Sequence, residues 1–255
     1  MHDMPLIYFG SIPIDLSAVL TLLISSIIVF VLVMLSVRNL SVDNPSRLHN
    51  FMEWVVEFVQ GIISSAMDLK KGKPYISLGL TLILFIFVSN LLGLPFSFIT
   101  EAHEPVYIFG HVIEATKDLA HGEHVELLWY KSPTADINIT AGLAIIVFVL
   151  MNFLGIKQNG KHYFKHYIEP FPIFLPLNII ENLAKPVALA IRLFANIFAG
   201  EVLITVILKL SIVSIPFLAI WQGFSIFVGA LQAFIFTILT MVYIAQMTIH
   251  EEEAH

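Results

Sequence analysis

The sequence predicts an all-α membrane protein with about five transmembrane units. Two of these are long, strongly tilted helical segments, and an amphipathic interfacial helix accompanies them. Three observations carry this expectation. Apolar residues make up 58% of the 255-residue chain and charged residues only 13%, about half the charged share of a soluble domain. The mean hydropathy is +0.87. Apolar runs recur at about 20 residues or more, the length that crosses about 30 Å of hydrocarbon, and most of the charge sits in the loops between them. Nearly the whole chain, 1–255, reads as one membrane domain.

Residues 14–36 form the first span. No Lys or Arg precedes it in residues 1–13, so no secretory leader is expected. Residues 37–75 are polar at both ends, and within them NPSRLHNFMEWVVEFVQGIISSAMD (44–68) reads as an amphipathic helix over about 46–69. Its apolar positions 51, 54, 55, 58, 59, 62 and 63 make one stripe, and Glu53, Glu57 and Gln60 lie away from it. Such a helix is predicted to lie on the membrane or against a partner. The second span, 76–96, contains Asn90, with Gly93 and Pro95 near its end. Residues 97–136 form an outer loop with seven carboxylates, four histidines and two lysines, and 137–155 form the third span. A short basic loop, 156–170, leads to two apolar segments, 171–209 and 211–249. Each is longer than one perpendicular crossing, since about 35 helical residues extend about 50 Å. Tilting, breaking or hairpin formation must absorb the excess, and Pro186 and Pro216 mark places for a bend or restart.

Basic residues orient the chain. Loop 37–75 carries five Lys/Arg and loop 156–170 three, against two in loop 97–136. The first two are therefore expected in the cytoplasm, the acidic loop and the N-terminus outside, and the C-terminus inside. There is no cysteine, which excludes disulfides and thiolate metal sites. The histidines at 103, 111, 121 and 124 lie in a flexible acidic loop and read as solvated rather than metal-binding. Glu251, Glu252 and Glu253 read as a solvated tail. No P-loop is present, so nucleotide chemistry is expected elsewhere.

The informative residues are the polar ones inside apolar segments. Arg192 lies in AKPVALAIRLFANIFAGEVLITVIL, residues 184–208. A cation near a bilayer centre costs about 2.5–3.5 kcal/mol on insertion scales and marks ion or proton handling. At about 100° per residue, Lys185, Ala188, Arg192, Ala195, Asn196 and Ala199 share one face about 100° wide. Small residues on that face admit a close neighbour. Glu201 falls about 180° around from Arg192, so the two face different neighbours. In the last segment Ser225, Gly229, Gln232 and Phe236 share a face, from which Gln232 is positioned to bond toward the Arg192 face. Plainer readings stand beside these. Arg192 snorkels or pairs with an acid, and Lys185 is interfacial. Glu201 is an acid satisfied by packing, Gln232 is interhelical glue, and Ser225 donates to its own helix backbone.

These residues carry a family resemblance. KPVALAIRLFANIFAGEVL, 185–203, resembles the signature of subunit a of the F-type proton-translocating ATP synthase, bacterial type. The family pattern R-L-F-x-N-x-x-A-G-E is matched by Arg192, Leu193, Phe194, Asn196, Ala199, Gly200 and Glu201. WQGFSIFVGALQAFIFTILTMVYIAQM, 221–247, resembles the family's second motif, L-Q-A-F-I-F-x-x-L-x-x-x-Y, and NLLGLP (90–95) and SPTADIN (132–138) also match. The resemblance covers roughly 75–250. One departure is Ser225, where some members carry a histidine, so a histidine–glutamate relay is not available there.

The resemblance implies a stator proton-channel subunit in a multi-pass location in the bacterial plasma membrane. Its implied partners are a ring of c subunits, the b-subunit peripheral stalk, the rest of the ATP synthase complex and the lipid bilayer. No cofactor, metal or nucleic acid is implied. The chain itself would be a non-catalytic subunit. Two half-channels would carry protons to and from ring carboxylates. Arg192 would hold the passing carboxylate ionised and prevent a short circuit. Glu201 would load protons in the outer half-channel, and Asn196 and Gln232 would orient water or Arg192. Lys185 and Ser225 complete the expected proton-translocation set. The rival classes are a secondary ion-coupled transporter and a structural scaffold. The transporter reading favours an inverted repeat, and none is evident. An intramembrane protease is disfavoured because the aspartates sit at span edges or in loops.

Overall fold

The computed structural model describes residues 4–9, 11–38, 45–93, 99–108, 110–116, 124–160, 163, 171–209 and 214–248. Pro95, His121, Lys161, Lys165 and the glutamates at 251–253 lie outside them. Seven α-helices occur among the described residues: α1 (Leu16–Val37), α2 (Arg47–Ala66), α3 (Leu69–Gly72), α4 (Ile76–Leu92), α5 (Ile137–Asn159), α6 (Leu175–Leu208) and α7 (Ser214–Thr248). Five candidate spans emerge by length and composition, with α3 and α4 together forming one. The protein is an all-α membrane protein.

Local chemistry sets the helix starts. Asp15 caps α1 by accepting from the Ser17 and Ala18 amides, Ser46 caps α2 through the His49 amide, and Asp136 caps α5 through the Asn138 amide. Helix α6 begins with Pro176 in its first turn, where a missing N–H costs nothing, and Pro216 occupies the same place in α7. Pro186 lies inside α6 without ending it. The two long segments are therefore single helices of 34 and 35 residues, not hairpins.

Helix α4 packs along α7, α5 packs against both α6 and α7, and α1 and α2 flank α4. One apolar cluster joins Leu82, Ile86, Ala144, Val147, Leu189, Leu193 and Phe236, and a second joins Val59, Ile62, Ile63, Met151, Met241 and Ile244. Helix α1 turns Ser17, Thr21 and Ser25 inward and leaves Leu23, Ile27 and Phe30 exposed, Phe30 at 65%. That polarity is the reverse of a soluble helix. It suits a lipid solvent, in which small hydroxyl residues bind helices together and apolar side chains face outward.

Helix α2 departs from the expected single stripe. Met52, Val55, Val59, Ile62 and Ile63 are buried against the bundle, whereas Phe51, Trp54 and Phe58 are exposed in a row, Trp54 stacked on Phe58 and tilted against Phe51. The stripe is split because it meets protein on one flank only.

The 97–136 loop, expected to be flexible and solvated, forms short strands where it is described, and so does the chain before α1. Strand β1 (Leu6–Phe9) pairs antiparallel with β2 (Ile12–Asp15), Leu6 opposite Asp15. Strand β3 (Ile99–Ala102) pairs with β6 (Val125–Leu128), and β4 (Tyr107–Ile108) with β5 (His111–Val112). Ile7, Ala102, Ile113 and Leu127 form a small buried core beneath them.

Candidate ion-conducting site

The site is built on α6, which carries Arg192, Asn196 and Glu201, and on α7, which carries Ser225 and Gln232. Arg192, Ala188, Ala195, Asn196 and Ala199 are exposed on one face of α6. Among the described residues Arg192 makes no ion pair or hydrogen bond. Lys185 is engaged with side chains of α6 and α7. Its Nζ lies 3.3 Å from Glu181 Oε1 and 3.2 Å from Gln246 Oε1, and 5.6 Å above the Tyr243 ring.

Gln232 is only 2% exposed. Its Oε1 accepts from Asn196 Nδ2 at 2.9 Å. The cross-helix bond expected of Gln232 is thus made to Asn196, one turn from Arg192.

Glu201 lines a cavity that Asn196 and Ala199 of that face also reach and Arg192 does not. The cavity, of about 260 Å³, is lined by Asn90, Ser132, Asn196, Glu201, Trp221 and Ser225 among others. Glu201 Oε1 accepts from the Ser132 amide at 3.3 Å. Ser225 is 9% exposed, and among the described residues its hydroxyl has no hydrogen-bond partner. A roomy cavity with a carboxylate, two amides and such a hydroxyl on its largely apolar wall has places to hold water.

The far wall comes from residues whose role the sequence reading left open. Asn90 Nδ2 donates to the Gly229 carbonyl at 3.0 Å, and Asn90 Oδ1 accepts from Thr134 Oγ1. A Cβ on Gly229 would stand 3.1 Å from Asn90 Cβ, so glycine permits the close approach of α4 and α7. Ser132 Oγ donates to the Ser89 carbonyl at 3.0 Å and meets Thr134 Oγ1 at 2.7 Å. Behind this wall the Lys131 ammonium bridges Asp15 Oδ2 at 2.7 Å and Asp136 Oδ2 at 2.9 Å. Burial alone would lower the Lys131 pKa, but hydrogen bonds and charge from Asp15 and Asp136 outweigh it and hold the group above its ordinary value. Burial likewise opposes ionisation of Asp136, and Lys131 with the Asn138 amide overrides it, leaving this carboxyl below its ordinary value. The one available signal for Asp15 and Asp136 was their position directly before apolar helices, where Asp caps.

At the other end of α6 lies a second polar cluster. Asn152 Oδ1 accepts from Asn182 Nδ2 at 3.1 Å and from the Tyr163 hydroxyl. Along α6, Arg192 falls between this cluster and the Glu201 cavity. Among the described residues no group of three His, Cys, Asp or Glu could hold a metal ion, and His103 instead lies 3.8 Å from Glu101.

The model of the ATP synthase A chain family matches residues 19–245. ATP synthase subunit a of Anoxybacillus flavithermus is 44% identical over 98% of this chain and 99% of its own length. The Bacillus subtilis subunit a is 42% identical and that of Staphylococcus aureus 40%, with the same coverage. With a signature on α6 and α7 and relatives matching from end to end, the chain belongs to the ATP synthase subunit a family, multi-pass membrane proteins of proton transport and ATP synthesis.

Proposed function

We propose that this chain is the stator proton channel of a rotary ATP synthase. Its Arg192 face meets a ring of c subunits, and the b-subunit stalk holds it against rotation. The observation that carries the reading is the separation of charge on α6. Arg192 stands on an exposed face of small residues, and Glu201 lines a cavity that Arg192 does not line. A fixed cation there holds a passing ring carboxylate ionised and repels protons, so the two half-channels do not join. Guanidinium suits this task because it does not release its proton.

The Glu201 cavity serves as the outer half-channel. Glu201 loads protons through water held by Ser225, Asn90 and Ser132, in place of a histidine relay. Asn196, bonded to Gln232, stands between this cavity and the Arg192 face. The cluster of Asn152, Asn182 and Tyr163, with Lys185 further along α6, lies on the side where the inner half-channel is expected. In the bacterial plasma membrane the N-terminus faces outward and the C-terminus the cytoplasm. Each proton driven through releases about 2.3 kcal/mol per 100 mV.

Glu201→Gln tests the reading. The variant should still co-purify with the ring, and its ATP-driven proton pumping in membrane vesicles should fall at least about tenfold, the usual scale for loss of a proton-transfer group. Unchanged pumping would remove Glu201 from the path.

A further inference from the structure

The buried ion triad of Lys131, Asp15 and Asp136 ties together three pieces of chain. Asp15 caps α1, accepting from the Ser17 amide and hydroxyl, and Asp136 caps α5. One ammonium joins both carboxylates, and its side chain is 5% exposed. The next residue, Ser132, gives its amide to Glu201 and its hydroxyl to the Ser89 carbonyl. Thr134 then bonds Asn90. Lys131 therefore anchors the start of the short turn that forms the cavity wall facing Glu201. Gly93 presses on the same turn, since a Cβ there would stand 2.3 Å from Ser132 Cβ.

We propose that Lys131 is a positioning residue for proton entry. By bridging Asp15 and Asp136 it fixes the Ser132–Thr134 wall, and the Ser132 amide in turn holds the Glu201 carboxylate toward the cavity. This rests on reading Glu201 as the proton-loading group. Lys131 does not line the cavity and carries no proton along the path. It acts through Ser132, where small displacements matter because proton transfer requires hydrogen-bond reach.

The test is passive proton conduction through the membrane sector of the assembled complex, in vesicles stripped of the catalytic head, expressed per co-purified ring. A merely structural lysine would change the amount of complex but not the flux per complex. Lys131→Met should lower that flux about tenfold, the scale expected of a small misplacement at a reacting group. Lys131→Arg, which can still span two carboxylates, should recover most of it. Flux per complex at the wild-type level in Lys131→Met, or Arg failing as badly as Met, would overturn the proposal. If Lys131→Met does not assemble because two buried carboxylates lose their cation, the neutral triple variant Lys131→Met, Asp15→Asn, Asp136→Asn decides. Wild-type flux in it overturns the proposal, and flux reduced about tenfold supports it. Glu201→Gln, measured alongside, separates the two claims. Normal flux in Glu201→Gln defeats the loading role and the positioning role together. Impaired flux there with normal flux in Lys131→Met defeats the positioning role alone.

Discussion

Arg192 and Glu201 stand about two and a half turns apart on α6, which sends them to opposite sides of one helix. In the proposed function, that half-turn lets a single helix present a fixed cation to a moving partner and an acid to water. It was legible in the sequence because it needs only helical period and residue identity. The partner of Gln232 was legible only in part, since its helix face could be read but its bond to Asn196 depends on how α6 and α7 cross. If Arg192 acts as a permanent charge, a substitute able to lose its proton cannot replace it. Arg192→Lys should therefore assemble normally and show less than about a tenth of wild-type ATP-driven pumping, because a desolvated ammonium deprotonates and guanidinium does not. Acridine-dye quenching in inverted vesicles measures it.

At the scale of elements, the two polar walls of the cavity are held by helix caps and close approaches. Lys131 contributes stability that is complete below its ordinary value of 10.5 and lost as pH rises through its raised value. Asp136 contributes stability that is present above its ordinary value of 3.8 and lost as pH falls through its lowered value. The triad is thus at full strength across the neutral range. Asp136→Asn should lower the melting temperature of the detergent-solubilised protein at neutral pH and flatten its acid-side fall, with a loss of roughly 1–3 kcal/mol for one charged hydrogen bond. Gly93→Ala tests the same wall by crowding. Its Cβ would approach Ser132 Cβ to 2.3 Å and Ser132 Cα to 2.9 Å, an overpacking expected to cost about 1–3 kcal/mol in the same melting experiment. The sequence showed Asp15 and Asp136 only as helix caps and gave no sign of their bridge, since Lys131 is one of two lysines in a long acidic loop. Its partners lie 116 and 5 residues away. The strands of the outer region were missed for a similar reason, since β3 finds β6 across a polar stretch.

Across the whole molecule, hydropathy located the five spanning units and left open which flanks meet protein. In a bilayer both neighbours of an apolar side chain are apolar, so composition does not separate them. The aromatic row Phe51, Trp54 and Phe58 shows this, belonging to one sequence stripe with Val55 and Val59 but facing outward. Among the described residues Arg192 has no carboxylate partner, and in the proposed function the ring supplies one. The central claim is that Arg192 couples proton flow to a turning ring. It is tested most directly by ATP-driven proton pumping in vesicles, wild type against Arg192→Ala, with ring co-purification as the control for assembly. The account predicts that pumping is abolished while the ring remains bound, and that a passive proton leak can open between the half-channels. Normal pumping by Arg192→Ala in an intact complex would contradict it.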